Sequence, residues 1–218
     1  MQLGKRTTRT TLIGVAALAL GAAGIAALSG AAHAEPEPAD GAHPARPAAV
    51  AFLEPDDLPS GAGEWTADPV ADGLPETDPT CLAGVLPEDG AQHRTFRTDL
   101  DAQATQVVVA SADAAAARDL LARTEDALRE CADAYAEQYP DATFTGEDLG
   151  AVDAGDGAHV YGLQSAFPHG SLDAHLFGVG RDGAAVTVTV LGQLGRLSDA
   201  PVADFTDSTR TSVTRLAG

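Results

Sequence analysis

The sequence predicts an α+β domain: a twisted antiparallel sheet of five to six strands with two helices packed on one face. Three observations carry this fold class. Around "LARTEDALRECADAY", Leu121 to Tyr135, apolar residues recur at alternating steps of four and three, the period of a helix. "VTVTV", Val186 to Val190, alternates strictly and reads as a half-buried strand. Elsewhere short runs of branched residues are separated by Pro, Gly and Asp, and a final segment from Ser198 has helical spacing.

The N-terminus sets the compartment. Lys5, Arg6 and Arg9 precede an apolar stretch from Thr11 to Leu28 and a small-residue site, Ala32-His33-Ala34, the three parts of a secretory signal peptide. An uncleaved anchor is the competing reading, because 18 residues approach the length of a span. Cleavage after Ala34 leaves 218 less 34, or 184 residues, enough for one domain with a core. Residues 35–49 begin "EPEPADGAHPARPA" and read as a disordered Pro/Ala-rich linker, with a folded domain over 50–218.

All 32 acids fall after residue 34, against ten remaining arginines, so the mature charge is −22. So negative a surface repels phosphate backbones and anionic lipid heads, which makes nucleic acid and membrane surface poor partners. The chain has two cysteines, Cys81 and Cys131. Exported chains meet oxidising conditions, where two thiols pair. Closing a loop of this length restricts the unfolded chain by about 4 kcal/mol. Neither cysteine has a second Cys or a His at metal-ligand spacing. A Cys81–Cys131 disulfide is therefore expected.

Along the domain, Phe52 and Leu53 anchor "AFLEPDDLPSGAGEW", a Pro-Asp turn follows, and Trp65 reads as a core or rim residue. Residues 66–90 read as loop with a turn at Cys81. Thr95–Leu100 and Thr105–Ala110 read as strands joined across "DAQ". The helix that follows is capped by Ser111 or Asp113 and stopped at Tyr139-Pro140. Its inward stripe is Ala117, Leu121, Thr124, Leu128, Cys131 and Tyr135. A loop then leads to a strand near Ala158–Phe167.

The hairpin Leu172–Gly180, "RDG", Ala184–Leu191 offers two registers. A three-residue loop stacks Leu172, Ala174 and Leu176 beside Val186, Val188 and Val190. A two-residue Asp-Gly loop puts His175 and Phe177 beside those valines instead. The first gives one consistently apolar face and is the expectation. It gathers Asp173, His175, Phe177, Thr187 and Thr189 on the opposite face. In the last helix, Ser198 or Asp199 caps, Pro201 sits in the first turn, and Val202, Phe205, Thr209 and Leu216 mark the stripe.

No motif names a reaction. His159, His169 and His175 with Asp173 match no local metal spacing. "DAGDG", Asp153 to Gly157, lacks the ligand pattern of a calcium loop. No serine stands in a nucleophile elbow, and no phosphate or dinucleotide fingerprint is present. No catalytic residue, metal ligand or cofactor is expected.

"FLEPDDLP…W" (Phe52 to Trp65), Cys81 with Leu82-x-x-x-Leu86-Pro87 after it, "SADAAAARDLLARTEDALREC" and "FGVGRDGAAVTVTVLG" occur in a fixed order over about residues 50–216. In that order the chain resembles the PknH-type extracellular sensor-domain family of actinobacteria, which includes secreted and lipoprotein-borne sensor-domain proteins. The resemblance implies a non-enzymatic domain with a cleft for a small or cell-wall-derived ligand. The kinase-linked members carry a second disulfide, which this chain lacks. If the cleft lies on the polar face of the hairpin, its lining includes Tyr161, Asp173, His175 and Thr187. The expected function is thus an exported sensor-like binding module, secreted or held in the cell envelope. The alternatives are an envelope protein that binds a protein partner, and a hydrolase using an acid pair that nothing singles out.

Overall fold

The computed structural model describes residues 52–61, 63–77 and 79–217. The expected signal peptide and linker, and the expected domain start at Val50, lie outside the described residues. Eight strands form one antiparallel sheet, not five or six. They are β1 (Thr66–Ala67), β2 (Ala71–Asp72), β3 (Ala91–Arg97), β4 (Gln103–Ala110), β5 (Thr143–Val152), β6 (Ala158–Ala166), β7 (Leu172–Asp182) and β8 (Ala185–Leu194). Their order is β1-β3-β4-β8-β7-β6-β5, with β2 also paired to β3.

Three strands escape the sequence pattern for physical reasons. β1 and β2 are two-residue pairings along the outer edge of β3, too short to show any period. β5 lies where a loop is expected before Ala158. It is an edge strand, largely exposed and interrupted by a bulge between Asp148 and Gly150. With little apolar surface to bury, its sequence "TFTGEDLGAV" carries polar residues that read as loop.

The first helix, α1 (Ala114–Gln138), agrees closely with its sequence. The Asp113 carboxylate accepts hydrogen bonds from the Ala115 and Ala116 amides at 2.9 and 2.8 Å, satisfying donors that helix geometry leaves free. Ala117, Leu120, Thr124, Leu128 and Cys131 are buried along its stripe. The second, α2 (Val202–Thr214), follows a short 3-10 turn at Leu197–Asp199. Ser198 and Asp199 sit in that turn, so neither caps the helix; Pro201 precedes it without a side-chain cap.

The two helices pack on opposite faces of the sheet, which corrects the expectation of one shared face. Residues of α1 cluster with Val107, Val109, Tyr161, Phe177, Val179, Val186, Val188 and Val190. Residues of α2 cluster with Phe96, Ala104, Val160, Ala174, Leu176 and Leu191, the alternate positions of the same strands. On the α2 face Gly178 and Gly180 let the helix approach closely: a Cβ at Gly178 would fall on the Thr209 hydroxyl, and one at Gly180 on Val213.

Covering both faces also reverses the expected hairpin register. Asp182 pairs with Ala185 across a two-residue Gly183-Ala184 turn, and Phe177 pairs with Val190. The three-residue loop is chosen above because one face must be apolar and the other wet. With a helix on each face, that criterion loses its force. Val186, Val188 and Val190 face α1 with Phe177 and His175. Thr187 and Thr189 face α2 and are fully buried. Thr187 accepts a hydrogen bond at 3.1 Å from Gln106, whose oxygen accepts one from the Leu53 amide at 2.8 Å. Leu53 is thereby fixed at the start of the described domain.

Candidate functional site

Cys81 and Cys131 form a disulfide with Cα atoms 5.4 Å apart. It ties the loop before β3 to the inward stripe of α1. Cys81 adopts φ +70°, a left-handed conformation unusual for a residue other than glycine. The loop just before it, through Thr77, Pro79 and Thr80, hangs over the α1 face of the sheet. Here β4 begins and β8 ends, beyond the reach of the first turns of α1.

Beneath that loop is a cavity of about 250 Å³. Among the described residues its lining is Thr77, Pro79 and Thr80 from the loop, Gln103, Ala104 and Thr105 from β4, Val190 and Gly192 from β8, and His175 from β7. Strand parity puts Gln103, Thr105, His175 and Val190 on this one face. His175 lies opposite Gly192. A Cβ at Gly192 would come within 3.2 Å of the imidazole, so the glycine makes room for the ring.

His175 stacks on Phe177 with ring centroids 6.2 Å apart. Its Nδ1 is buried and has no hydrogen-bond partner among the described residues. Burial pushes its pKa below the usual histidine value, and the neighbouring Asp173 carboxylate opposes that shift. The ring is therefore neutral at pH 7. Asp173 itself accepts from Ser171 at 3.0 Å and, weakly, from Ser165 at 3.4 Å. Asp173 does not orient the imidazole, and no serine donates to it. A nucleophile, base and orienting acid in sequence are not assembled here.

The four residues expected to line one cleft are not brought together. Asp173 and His175 are neighbours on β7, on the α1 face. Tyr161 shares that face but belongs to a separate crevice of about 310 Å³, with Leu128, Arg129, Ala132, Asp133, Gly146, Glu147 and Asp148. The Arg129 guanidinium lies 5.6 Å from the Tyr161 ring centre, and His159 stacks on its ring at 4.6 Å. Burial, with the nearby Glu125 charge, pushes the Tyr161 phenol up to about 12; Arg129 opposes this, and the hydroxyl has no hydrogen-bond partner among the described residues. Thr187 is on the other face, under α2, because the Gly183-Ala184 turn shares the face parity of the Asp-Gly alternative rather than that of the three-residue loop.

The histidines are equally dispersed. His159 bonds Asp148 at 2.5 Å, which holds that carboxyl below the usual range. His169 stacks on Phe167. Among the described residues no group of three His, Cys, Asp or Glu side chains is placed to hold a metal. In the "DAGDG" loop, Asp156 accepts from Arg181 at 2.7 Å and from the Gly183 amide at 3.0 Å. That acid clasps the β7–β8 turn.

Sequence reasoning missed Thr77, Thr80, Gln103 and Thr105. Only the disulfide hinted at the first two, because it forces the segment before Cys81 over the sheet. Thr105 was visible as a strand residue but had no assigned face, and Gln103 was read as part of the "DAQ" connection before it.

No family model and no curated protein matches the chain. Among solved structures it is similar to the extracellular domain of PknH from Mycobacterium tuberculosis, at 13% identity and a TM-score of 0.41. That similarity covers 74% of this chain and 99% of that one. It assigns no residue a role. The fold and its site define a disulfide-bonded α+β domain with a polar cavity on one face of its sheet.

Proposed function

We propose that this chain is an exported, non-enzymatic binding module that takes a small ligand in the His175 cavity, as a sensor-like domain of the cell envelope does. The observation that supports it most is His175 itself. Its imidazole is neutral, has a buried Nδ1 without a hydrogen-bond partner among the described residues, and lines a cavity roofed by the disulfide-tethered loop. A buried polar group without a partner costs stability, and a ligand that supplies the partner recovers it. The disulfide fits an oxidising compartment outside the cytoplasm. Ser165 bonds Asp173 but neither is bonded to His175 among the described residues, which weighs against hydrolysis.

The test is a thermal-shift screen of the full chain, with its disulfide formed, against peptidoglycan fragments, sugars, lipids and divalent metals. A ligand bound only by the native state raises the melting temperature. The expected result is a saturable rise of several degrees that His175→Ala abolishes. A rise that His175→Ala leaves intact places the ligand elsewhere.

A protein partner is the second reading, and one surface supports it. Six of the ten aromatic residues are buried, while Tyr135, Tyr139, Phe144 and Phe167 gather in one partly exposed cluster. Their ring centroids lie 5.4–6.3 Å apart, at the end of α1 against β5 and the β6–β7 loop. Tyr139 is 42% exposed. Under this reading small molecules give no shift, and Tyr139→Ala lowers capture of an exported protein.

A further inference from the structure

The two edges of the sheet end differently. On one side β3 has outer neighbours, β1 at Arg97 and Phe96 and β2 at His93 and Gln92. On the other side β5 is the last strand, paired with β6, and no described strand lies beyond it. In an antiparallel ladder alternate residues turn both N–H and C=O away from the strand they pair with. From Thr143 to Asp148 the register against Ala166 to Tyr161 is unbroken, so six residues present a regular edge before the bulge. All six are exposed except Phe144, which is half-buried.

Edge strands are commonly blunted by lysine, proline or a bulge. β5 has the bulge, but "TFTGED" contains no proline and no base. It ends instead in two adjacent acids, Glu147 and Asp148. Phe144, Gly146 and Asp148 share the side facing α1: the Phe144 ring meets Tyr135, and a Cβ at Gly146 would meet Ala132. Thr143, Thr145 and Glu147 take the other side. Asp133 of α1 lines the same crevice as Glu147 and Asp148 and adds a third carboxylate. Arg129, also in that crevice, is paired with Glu125 at 2.9 Å and Asp126 at 2.7 Å. At the start of the strand the Phe144 ring lies 6.2 Å from that of Tyr139, which is 42% exposed.

We propose that the edge of β5 takes up an extended basic segment of a partner protein as a further strand of the sheet. Backbone pairing along Thr143–Asp148 supplies the affinity. Glu147 and Asp148 select two adjacent lysine or arginine residues, one on each side of the sheet. Phe144 and Tyr139 receive an apolar residue four positions from the base that meets Asp148, on the same side. A second copy of this chain is a poor occupant, because each copy carries 32 acids against 13 bases and β5 itself has no base. Residues 35–49 are unsuited as well, since Pro36, Pro38, Pro44 and Pro47 cannot donate to a ladder. Binding at this edge does not require a ligand in the His175 cavity.

The experiment is fluorescence anisotropy of a labelled decapeptide, alternating valine and threonine around a central Lys-Arg pair, titrated with the full oxidised chain. One control peptide has Glu-Glu at its centre. The other keeps Lys-Arg but is N-methylated at two adjacent residues on each side of it, which blocks both of its edges. The Lys-Arg peptide is expected to bind about tenfold or more tightly than either control. Glu147→Lys, an exposed change that leaves the melting temperature unaltered, weakens that binding about fivefold or more and strengthens binding of the Glu-Glu peptide. His175→Ala changes neither. If the N-methylated peptide binds as tightly as its parent, the attraction is charge alone and the added strand is overturned. If the Glu-Glu peptide binds as tightly as the Lys-Arg peptide, selection by the acids is overturned. Binding that His175→Ala abolishes belongs to the cavity and overturns the edge. No binding of the Lys-Arg peptide overturns it outright, and a chain that then sediments as a dimer identifies a second copy as the occupant.

Discussion

The two faces of the sheet are covered by one helix each, yet they differ in where unpaired polar atoms meet open space. On the α2 face the buried polar groups serve packing. Gln106 links Leu53 to Thr187, and Thr209 and Ser212 return their hydroxyl protons to backbone carbonyls of their own helix. Ser208 donates to the Asp57 and Asp204 carbonyls, and Arg215 pairs with Asp57 and reaches the Phe52 carbonyl. Among the described residues the Thr189 hydroxyl is the one buried side-chain atom there without a partner. On the α1 face Thr124 and Ser165 are hydrogen-bonded, but the buried Tyr161 hydroxyl and His175 Nδ1 have no partner among the described residues, and cavities open beside both. Buried polar groups are normally satisfied, so an unpaired atom beside open space is where the proposed binding role is best tested.

The largest expected effect comes from the tether that holds the α1 face together. Replacing Cys81 and Cys131 with serine removes about 4 kcal/mol by the loop-entropy account. It also frees the Thr77–Thr80 rim, so ligand binding falls at denaturant concentrations where the fold is still intact. Urea unfolding with and without reductant measures the first effect, and titration of the reduced, folded chain measures the second.

Next is the tight packing of the other face. Gly178→Val forces two methyl groups into Thr209, at a cost of about 3 kcal/mol or more. Its urea midpoint drops, whereas His175→Ala on the open face moves the midpoint by less than about 1 kcal/mol. Equal losses from the two would erase the distinction between the faces. Gln106→Leu keeps the volume but strands the Leu53 amide, a buried donor, at about 1–3 kcal/mol.

Much of this architecture was legible in the sequence, and the failures share one cause. α1 was read to within a residue or two because its stripe, its Asp113 cap and its Tyr139 stop are local signals. The disulfide followed from export and a count of two cysteines. The hairpin register and the placement of α2 failed because both depend on how many faces of the sheet are covered, which no local period encodes. Thr187 and Thr189 looked like solvent-facing residues. In the structure they are buried, and Gly178 opposite Thr189 is the clue that a helix lies over them. The expected site was divided by the same error: parity moved Thr187 away from Asp173 and His175, and β5 carried Asp148 beside the Tyr161 crevice.

The smallest effect is a pH dependence. Burial lowers the folded-state pKa of His175 below its unfolded value of about 6.5. As pH falls through that unfolded value, the unfolded chain takes up a proton that the folded chain does not. Stability is therefore full above it and declines below it. His175→Gln is expected to flatten the decline in melting temperature between pH 7.5 and pH 5, by less than about 4 °C for a domain of this size. A steeper decline in the variant would contradict the sign.

The most direct test of the contrast sets one residue of each face side by side. The ligand-induced thermal shift would be measured for the full oxidised chain and for its His175→Ala and Thr187→Val variants. The shift is expected to vanish in His175→Ala and to persist in Thr187→Val, even though Thr187→Val lowers the starting melting temperature by breaking the bond from Gln106. A shift that survives in His175→Ala, or that disappears equally in both, would contradict the assignment of binding to the α1 face.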